Sequence, residues 1–156
     1  SVAASKRTLE LLKGITDSAE SAKYAKEKTG AIANMVEASR LLIATGADTS
    51  EAAANSAIES LNQYLAVETD SAQKVKYQIL VATALRTKIG SALAIPIYRA
   101  VLEVDPNNTD AMGNLGLCLF DAGVSNSNKE QMQEGLNLMQ KFADTAPDKP
   151  GDKDYM

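Results

Sequence analysis

One segment of the chain, from Ala94 to Gly123, restricts the fold more than any other part of the sequence. Apolar residues recur at helical spacing as far as Val104, and a turn containing Pro106 follows before the helical spacing resumes. Proline lacks the backbone amide that a continuing helix needs, so Pro106 must lie outside the first helix. The segment therefore predicts two helices joined by a short turn, which packs them side by side and antiparallel.

The composition extends this prediction to the whole chain. Among 156 residues, 45% are apolar but only 4% are aromatic, and tryptophan is absent. Alanine is abundant, and it is both the best helix former and small enough for helices to approach closely. We therefore expect an all-α fold, with helices near residues 3–13, 17–45, 50–67, 71–88, 91–104, 108–122 and 129–145.

Start and stop signals punctuate these helices. A short polar residue followed three positions later by Glu or Gln is typical of a capping box, and such boxes begin at Asp17, Asp48, Asp70 and Ser127. Glycine favours the left-handed conformation that ends many helices. We expect helices to end at Gly14, Gly46, Gly90 and Gly123, and we expect Gly30 to interrupt the second helix.

The charged and reactive residues argue against several functions. The net charge is −4 and the pI is near 4.9, whereas nucleic-acid binding needs a basic face. Histidine is absent, which removes the commonest general base and the commonest metal ligand. Cys118 lies between two leucines and is interpreted as a small buried side chain, not as a nucleophile. We therefore expect no enzymatic activity, no metal and no cofactor.

The location of the protein is less constrained. The sequence has no apolar run near the ~18 residues that cross a bilayer, and no secretory leader is evident. One cysteine excludes an intrachain disulfide. These features favour the cytoplasm, and the periplasm stays open if the chain is a fragment of a larger protein.

Internal repeats appear when the chain is aligned with itself. Residues 112–123 align with residues 35–46, and residues 94–105 align with residues 57–68. The resemblance to a known family rests on Asn114-Leu115-Gly116, Ala94, Tyr98 and the Asp105-Pro106-Asn107-Asn108 turn. These residues resemble signature positions of the tetratricopeptide repeat (TPR), in the style of bacterial members.

The resemblance implies antiparallel helix pairs stacked as a right-handed solenoid. Three repeats would cover residues 31–69, 71–106 and 108–147, preceded by an N-terminal capping helix region in residues 1–30 and followed by a polar tail, residues 148–156. Gly116 and Ala94 would lie where helices cross most closely.

In the TPR family the first helices of the repeats line a concave groove that holds another protein. The resemblance implies a protein or peptide partner, bound by Arg40, Ile43, Lys76, Ile79, Thr83, Arg86, Leu117, Phe120 and Asp121, with Val36 and Gly113 beside them. Two arginines among apolar side chains suggest a ligand with acidic and apolar residues. The alternative is a structural module that forms homo-oligomers, and a further interpretation is that Ile79, Leu117 and Phe120 merely pack internally. Asn114 is the only match to the family's carboxylate clamp.

Overall fold

The computed structural model of the protein describes residues 2–13 and 24–145, which form seven α-helices and no strand. The all-α prediction is therefore confirmed for this part of the chain. Gly14, the capping box at Asp17 and the predicted tail at 148–156 lie outside the described residues. The helices are α1 (Val2–Lys13), α2 (Ala25–Ala44), α3 (Glu51–Val67), α4 (Ser71–Lys88), α5 (Ser91–Val104), α6 (Thr109–Ser125) and α7 (Lys129–Thr145).

Each helix packs against the next along the chain, and α4 also contacts both α2 and α6. From α2 to α7, each helix is joined to the next by a short turn, which makes successive helices antiparallel. Two apolar cores result, and α4 contributes to both. The first core lies among α2, α3 and α4 and includes Val36, Ile43, Leu61, Tyr64, Val81 and Leu85. The second lies among α4, α5 and α6 and includes Ala82, Ala94, Tyr98, Val101, Leu115 and Leu119.

The capping residues agree with the sequence at one helix and differ at two. Asp70 caps α4 as predicted, since its Oδ1 accepts the backbone N–H groups two and three residues on, at 2.8 and 3.3 Å. The prediction of a capping box at Asp48 is wrong, because Ser50 caps α3 while Asp48 Oδ1 accepts the Ser50 N–H at 2.9 Å. The box at Ser127 is also wrong. Ser127 has a φ of 55°, and Asn128 next to it accepts the N–H three residues on, at 3.1 Å.

The glycines divide into helix ends and close contacts. Gly46 has a φ of 76° just after α2, and Gly90 separates α4 from α5, so both predicted stops are confirmed. Gly30 does not interrupt α2, which continues to Ala44. Gly123 does not end α6 either, because the helix continues to Ser125. A Cβ on Gly123 would lie 2.7 Å from the backbone nitrogen of Met132 in α7.

The contact between α6 and α7 is made largely by backbone. A Cβ on Gly116 would lie 3.0 Å from the Gly135 carbonyl oxygen, and a Cβ on Gly135 would lie 2.6 Å from the Gly116 oxygen. The close crossing predicted at Gly116 is therefore confirmed, and Gly135 is its counterpart. Polar side chains occupy most of the exposed surface of α7, so this helix covers the second half of the molecule with a water-compatible face. They are Gln133, Asn137, Gln140, Lys141 and Asp144.

Candidate functional site

The face of α2 expected to line a groove lies partly in the core. Val36 and Ile43 are fully buried in the first core, so they present no side chain to a partner, and the prediction of Ile43 as a binding residue does not fit its position. The reason is the helical phase. Asn34 and Leu41 are exposed on α2, whereas the face of Val36 and Ile43 packs against α3 and α4.

Arg40 is half-buried and already paired within its own helix. Its Nε donates to Glu37 Oε2 at 2.9 Å, and its Nη2 lies 2.5 Å from Glu37 Oε1. The hydrogen bonds from Arg40 hold the pKa of the Glu37 carboxyl below its usual range, and Lys76 on α4 adds a weaker effect of the same sign. A carboxylate from a partner would have to compete with Glu37 for this guanidinium.

The predicted residues of α4 differ in exposure. Lys76 is exposed, and its Nζ lies 5.8 Å from the centre of the Tyr77 ring, within reach of a cation–π contact. Ile79 is half-buried against the second core. The Thr83 hydroxyl is hydrogen-bonded to the Tyr98 hydroxyl on α5, with 2.8 Å between the two oxygens. Only Lys76 of these three is fully available to a partner.

Arg86 is half-buried on α4, and its side chain interacts with the Tyr98 hydroxyl on α5. Its Nε is sealed from solvent and has no hydrogen-bond partner, the only side-chain nitrogen or oxygen of the described chain in that state. Within residues 2–13 and 24–145, no carboxylate lies within 4.0 Å of its guanidinium. Asp121, the nearby acid on α6, accepts a hydrogen bond from the Ser91 hydroxyl at 3.3 Å instead. Burial raises the pKa of the neighbouring Cys118 thiol, which makes Cys118 a weak nucleophile.

The residues of α6 lead to a pocket that the sequence indicated only in part. Leu117 is 42% exposed, and Asp121 is exposed one turn further on. Phe120 is half-buried, and its backbone rests against Gly135 of α7. Leu117 and Gly113 line a largely apolar pocket of about 310 Å³ between α6 and α7. Its other lining residues are Thr109, Asp110, Asn114, Met139 and Phe142.

Glycine at position 113 shapes this pocket. A Cβ there would lie 3.2 Å from the Phe142 ring, so any larger side chain would fill the space. Asn114 donates to the Asp110 carbonyl oxygen at 2.8 Å, which fixes its amide at the rim. Met139 and Phe142 were not among the predicted binding residues, although their spacing with Met132 and Gly135 marks one face of α7. What the pocket offers is an apolar floor with a polar rim.

Nowhere in 2–13 or 24–145 do three or more Cys, Asp or Glu side chains gather as a metal site would require. Over the same residues, no helix is both long and apolar enough to cross a bilayer. A scan against protein-family models, a search of curated proteins and a search of solved structures each found no match. The function is therefore inferred from the geometry and chemistry of the site.

Proposed function

We propose that the protein is a TPR-like interaction module whose helix pairs form a right-handed solenoid and bind a protein or peptide partner. The packing of the helices supports this architecture. In the described chain the α4 backbone lies close to both α2 and α6, whereas the α3 and α5 backbones do not approach each other in this way, and α5 contacts α7 through side chains such as Arg99 and Glu134. This pattern supports a curved stack with α2, α4 and α6 on one side, where the first helices of TPR repeats lie.

The observation that carries the proposal is the apolar pocket between α6 and α7. Leu117 is one of the few large apolar side chains that the fold leaves exposed, and it stands at the edge of this pocket. Burial of one large apolar side chain from a partner would contribute about 1.5–3 kcal/mol. The Asp110 and Asn114 rim can bind the partner's polar groups around that anchor.

Arg86 supplies the second part of the proposed site. An arginine offers five N–H donors and grips a carboxylate through two parallel hydrogen bonds. No acid among the described residues forms an ion pair with it. A partner with an acidic residue near its apolar anchor would therefore gain more at Arg86 than at Arg40, which Glu37 already holds.

The test uses the full chain as bait and follows each captured partner by calorimetry. We expect Leu117→Asp and Arg86→Ala each to weaken binding by about ten-fold or more. Matched controls are Leu136→Asp on the exposed side of α7 and Arg99→Ala, whose guanidinium pairs with Glu134 at 2.8 Å. If the controls weaken binding as much as the site variants, the binding site lies elsewhere.

Self-association is a second candidate function. Leu41 and Leu42 are adjacent on α2, and both are exposed, so two copies could bury them against each other. Light scattering over a concentration series separates the two functions. A constant monomer mass excludes self-association and favours a foreign partner.

A further inference from the structure

A second recess lies between α3 and α5, over α4, and shares no residue with the pocket between α6 and α7. It consists of two adjoining pockets of about 290 and 340 Å³, whose common wall is formed by Leu65, Gln78 and Ala100. We call it the α3–α5 groove. We propose that the α3–α5 groove binds an extended, uncharged and largely apolar segment of a partner polypeptide, whose main chain hydrogen-bonds to the Gln78 amide.

Gln78 is the observation from which the proposal starts. It is only 8% exposed, yet its side-chain amide has no hydrogen bond to any other described residue. It is also not sealed away, because Arg86 Nε is the only fully enclosed side-chain nitrogen or oxygen without a partner in the described chain. The Gln78 amide therefore faces the groove, in which a glutamine offers two donors and one acceptor. Most buried polar groups have a partner, so an amide left open here marks a place for one.

The chemistry of an amide points to main chain as its partner. A peptide group carries one N–H and one C=O, which a glutamine side chain can match with its own acceptor and donor. These groups are free in an extended segment and occupied in a helix. The described residues of a second copy fit poorly, because they are helical apart from short turns.

The two pockets suggest which side chains the segment carries. The pocket beside Gln78 toward the start of α5 is aliphatic, and its lining includes Ile58, Leu61, Leu93, Pro96 and Ile97. The other pocket has a polar mouth, formed by Ser71, Lys74 and Glu103, while Val75 is half-buried in its wall and Val104 is exposed at its end. One cation and one anion balance each other at this mouth, so the groove complements an uncharged segment and not an acidic or basic one.

The spacing of the pockets agrees with an extended chain. Along α5 one pocket is lined by residues between 93 and 100 and the other by residues between 100 and 104, so the two pockets are offset by roughly one to two helical turns, about 5–10 Å. Side chains two residues apart on the same face of an extended segment are separated by about 7 Å. We therefore infer a motif with an aliphatic residue and, two positions away, a small apolar or neutral polar residue.

Exposed apolar surface marks both ends of the groove. Leu93 lies at one end and is exposed, and Val104 lies at the other and is 66% exposed. A bound segment running from one to the other would cover both. Exposed apolar side chains beside a recess are typical of interaction sites.

The test is a random heptapeptide library displayed on phage and selected against the full chain. The peptides enriched should share the predicted motif and lack charge. A consensus peptide with blocked ends is then synthesised, and its dissociation constant is measured for each variant. Gln78→Leu keeps the volume of the groove floor but removes the amide, and we expect about ten-fold weaker binding. Ala100→Lys, which places a long charged side chain in the common wall, should weaken binding by a similar factor or more.

The controls separate this groove from the site on α6. Ala92→Lys on the exposed side of α5 should leave peptide binding unchanged, and so should Leu117→Asp. The proposal is overturned if no peptide is enriched, or if the consensus peptide binds Gln78→Leu and Ala100→Lys as tightly as the original chain. It is also overturned if every enriched peptide responds to Leu117→Asp alone, an outcome that would support the α6–α7 pocket instead.

Discussion

The helix pair α6–α7 and the three helices α2, α3 and α4 are held together by opposite means. Between α6 and α7 the glycines bring the two backbones into contact, with Gly116 and Gly135 facing each other. Among α2, α3 and α4 large side chains fill the space between the helices, including Leu61 and the tilted pair Tyr64–Tyr77, whose ring centres are 4.6 Å apart. The α6–α7 contact has no room for an added methyl group, whereas the core among α2, α3 and α4 is stabilised by the volume of its side chains.

This difference predicts opposite sensitivities to mutation. The first core should suffer from lost volume, because a cavity forfeits both burial and packing. The α6–α7 contact should suffer from added volume, because backbone atoms cannot move aside as the end of a side chain can. The same chain thus contains two kinds of tight packing that a count of apolar residues would not distinguish.

The largest effect is expected in the first core. Leu61 is 2% exposed there, and Leu61→Ala should lower the free energy of unfolding by about 2–5 kcal/mol. Urea unfolding followed by circular dichroism measures the change. Leu136→Ala on exposed α7 is the control and should cost far less. An equal loss in both variants would show that the first core is not held by its side-chain volume.

The second-largest effect is expected when side-chain volume is added at the α6–α7 contact. Gly135→Ala would place a Cβ 2.6 Å from the Gly116 oxygen, so we expect a net loss of about 1–3 kcal/mol even though alanine favours helix. Gly30→Ala is the matched control, because a Cβ there meets nothing within 4 Å. That variant should gain about 0.5–1 kcal/mol. A shift of the unfolding midpoint in the same direction for both glycine variants would show that the α6–α7 contact is not specially sensitive to added volume.

A smaller effect is expected between α4 and α5. Tyr98→Phe removes the 2.8 Å hydrogen bond to Thr83 but keeps the ring in the second core. The expected loss is about 1 kcal/mol, since Thr83 is half-buried and can bind water instead. Thr83→Val combined with Tyr98→Phe should cost less than the sum of the two single changes. Strict additivity in this double-mutant cycle would show that the bond contributes nothing.

The smallest effect concerns the partly exposed pair Glu37–Arg40. The pKa of Glu37 is lowered in the folded protein, chiefly by the hydrogen bonds from Arg40. Its contribution is therefore present above the unfolded-state pKa and is lost as the pH falls through the lowered folded-state pKa. At pH 7 Glu37→Gln should cost no more than about 0.5 kcal/mol, given solvent screening. At a pH low enough to protonate Glu37 in both the folded and the unfolded state, the two chains should unfold at the same urea concentration, and a difference that persists there would contradict the assignment.

Local signals in the sequence located the helices well. The predicted helices at 71–88 and 91–104 have the bounds of α4 and α5, and Asp70 caps α4 as expected. Pro106 and Gly46 end helices through their own backbone chemistry, which no neighbour can alter. Asp48 and Ser127 show the limit of such signals. The same three-residue spacing appears in both, but a better cap, Ser50 or Asn128, lies within two residues.

What the sequence determined by itself is therefore the helical class and most of the helix ends, because capping, proline and glycine act within a few residues. Only the tertiary structure decided what each helix face contacts. Val36 and Ile43 became core, Gly123 became a contact with α7 and not a helix end, and Met139 joined the pocket. Which face of a helix is buried depends on the neighbouring helices that pack against it. A rotation of the helix about its own axis by about a third of a turn would exchange buried and exposed residues. The open Gln78 amide has the same origin, since α3 and α5 lie on either side of it without closing over it.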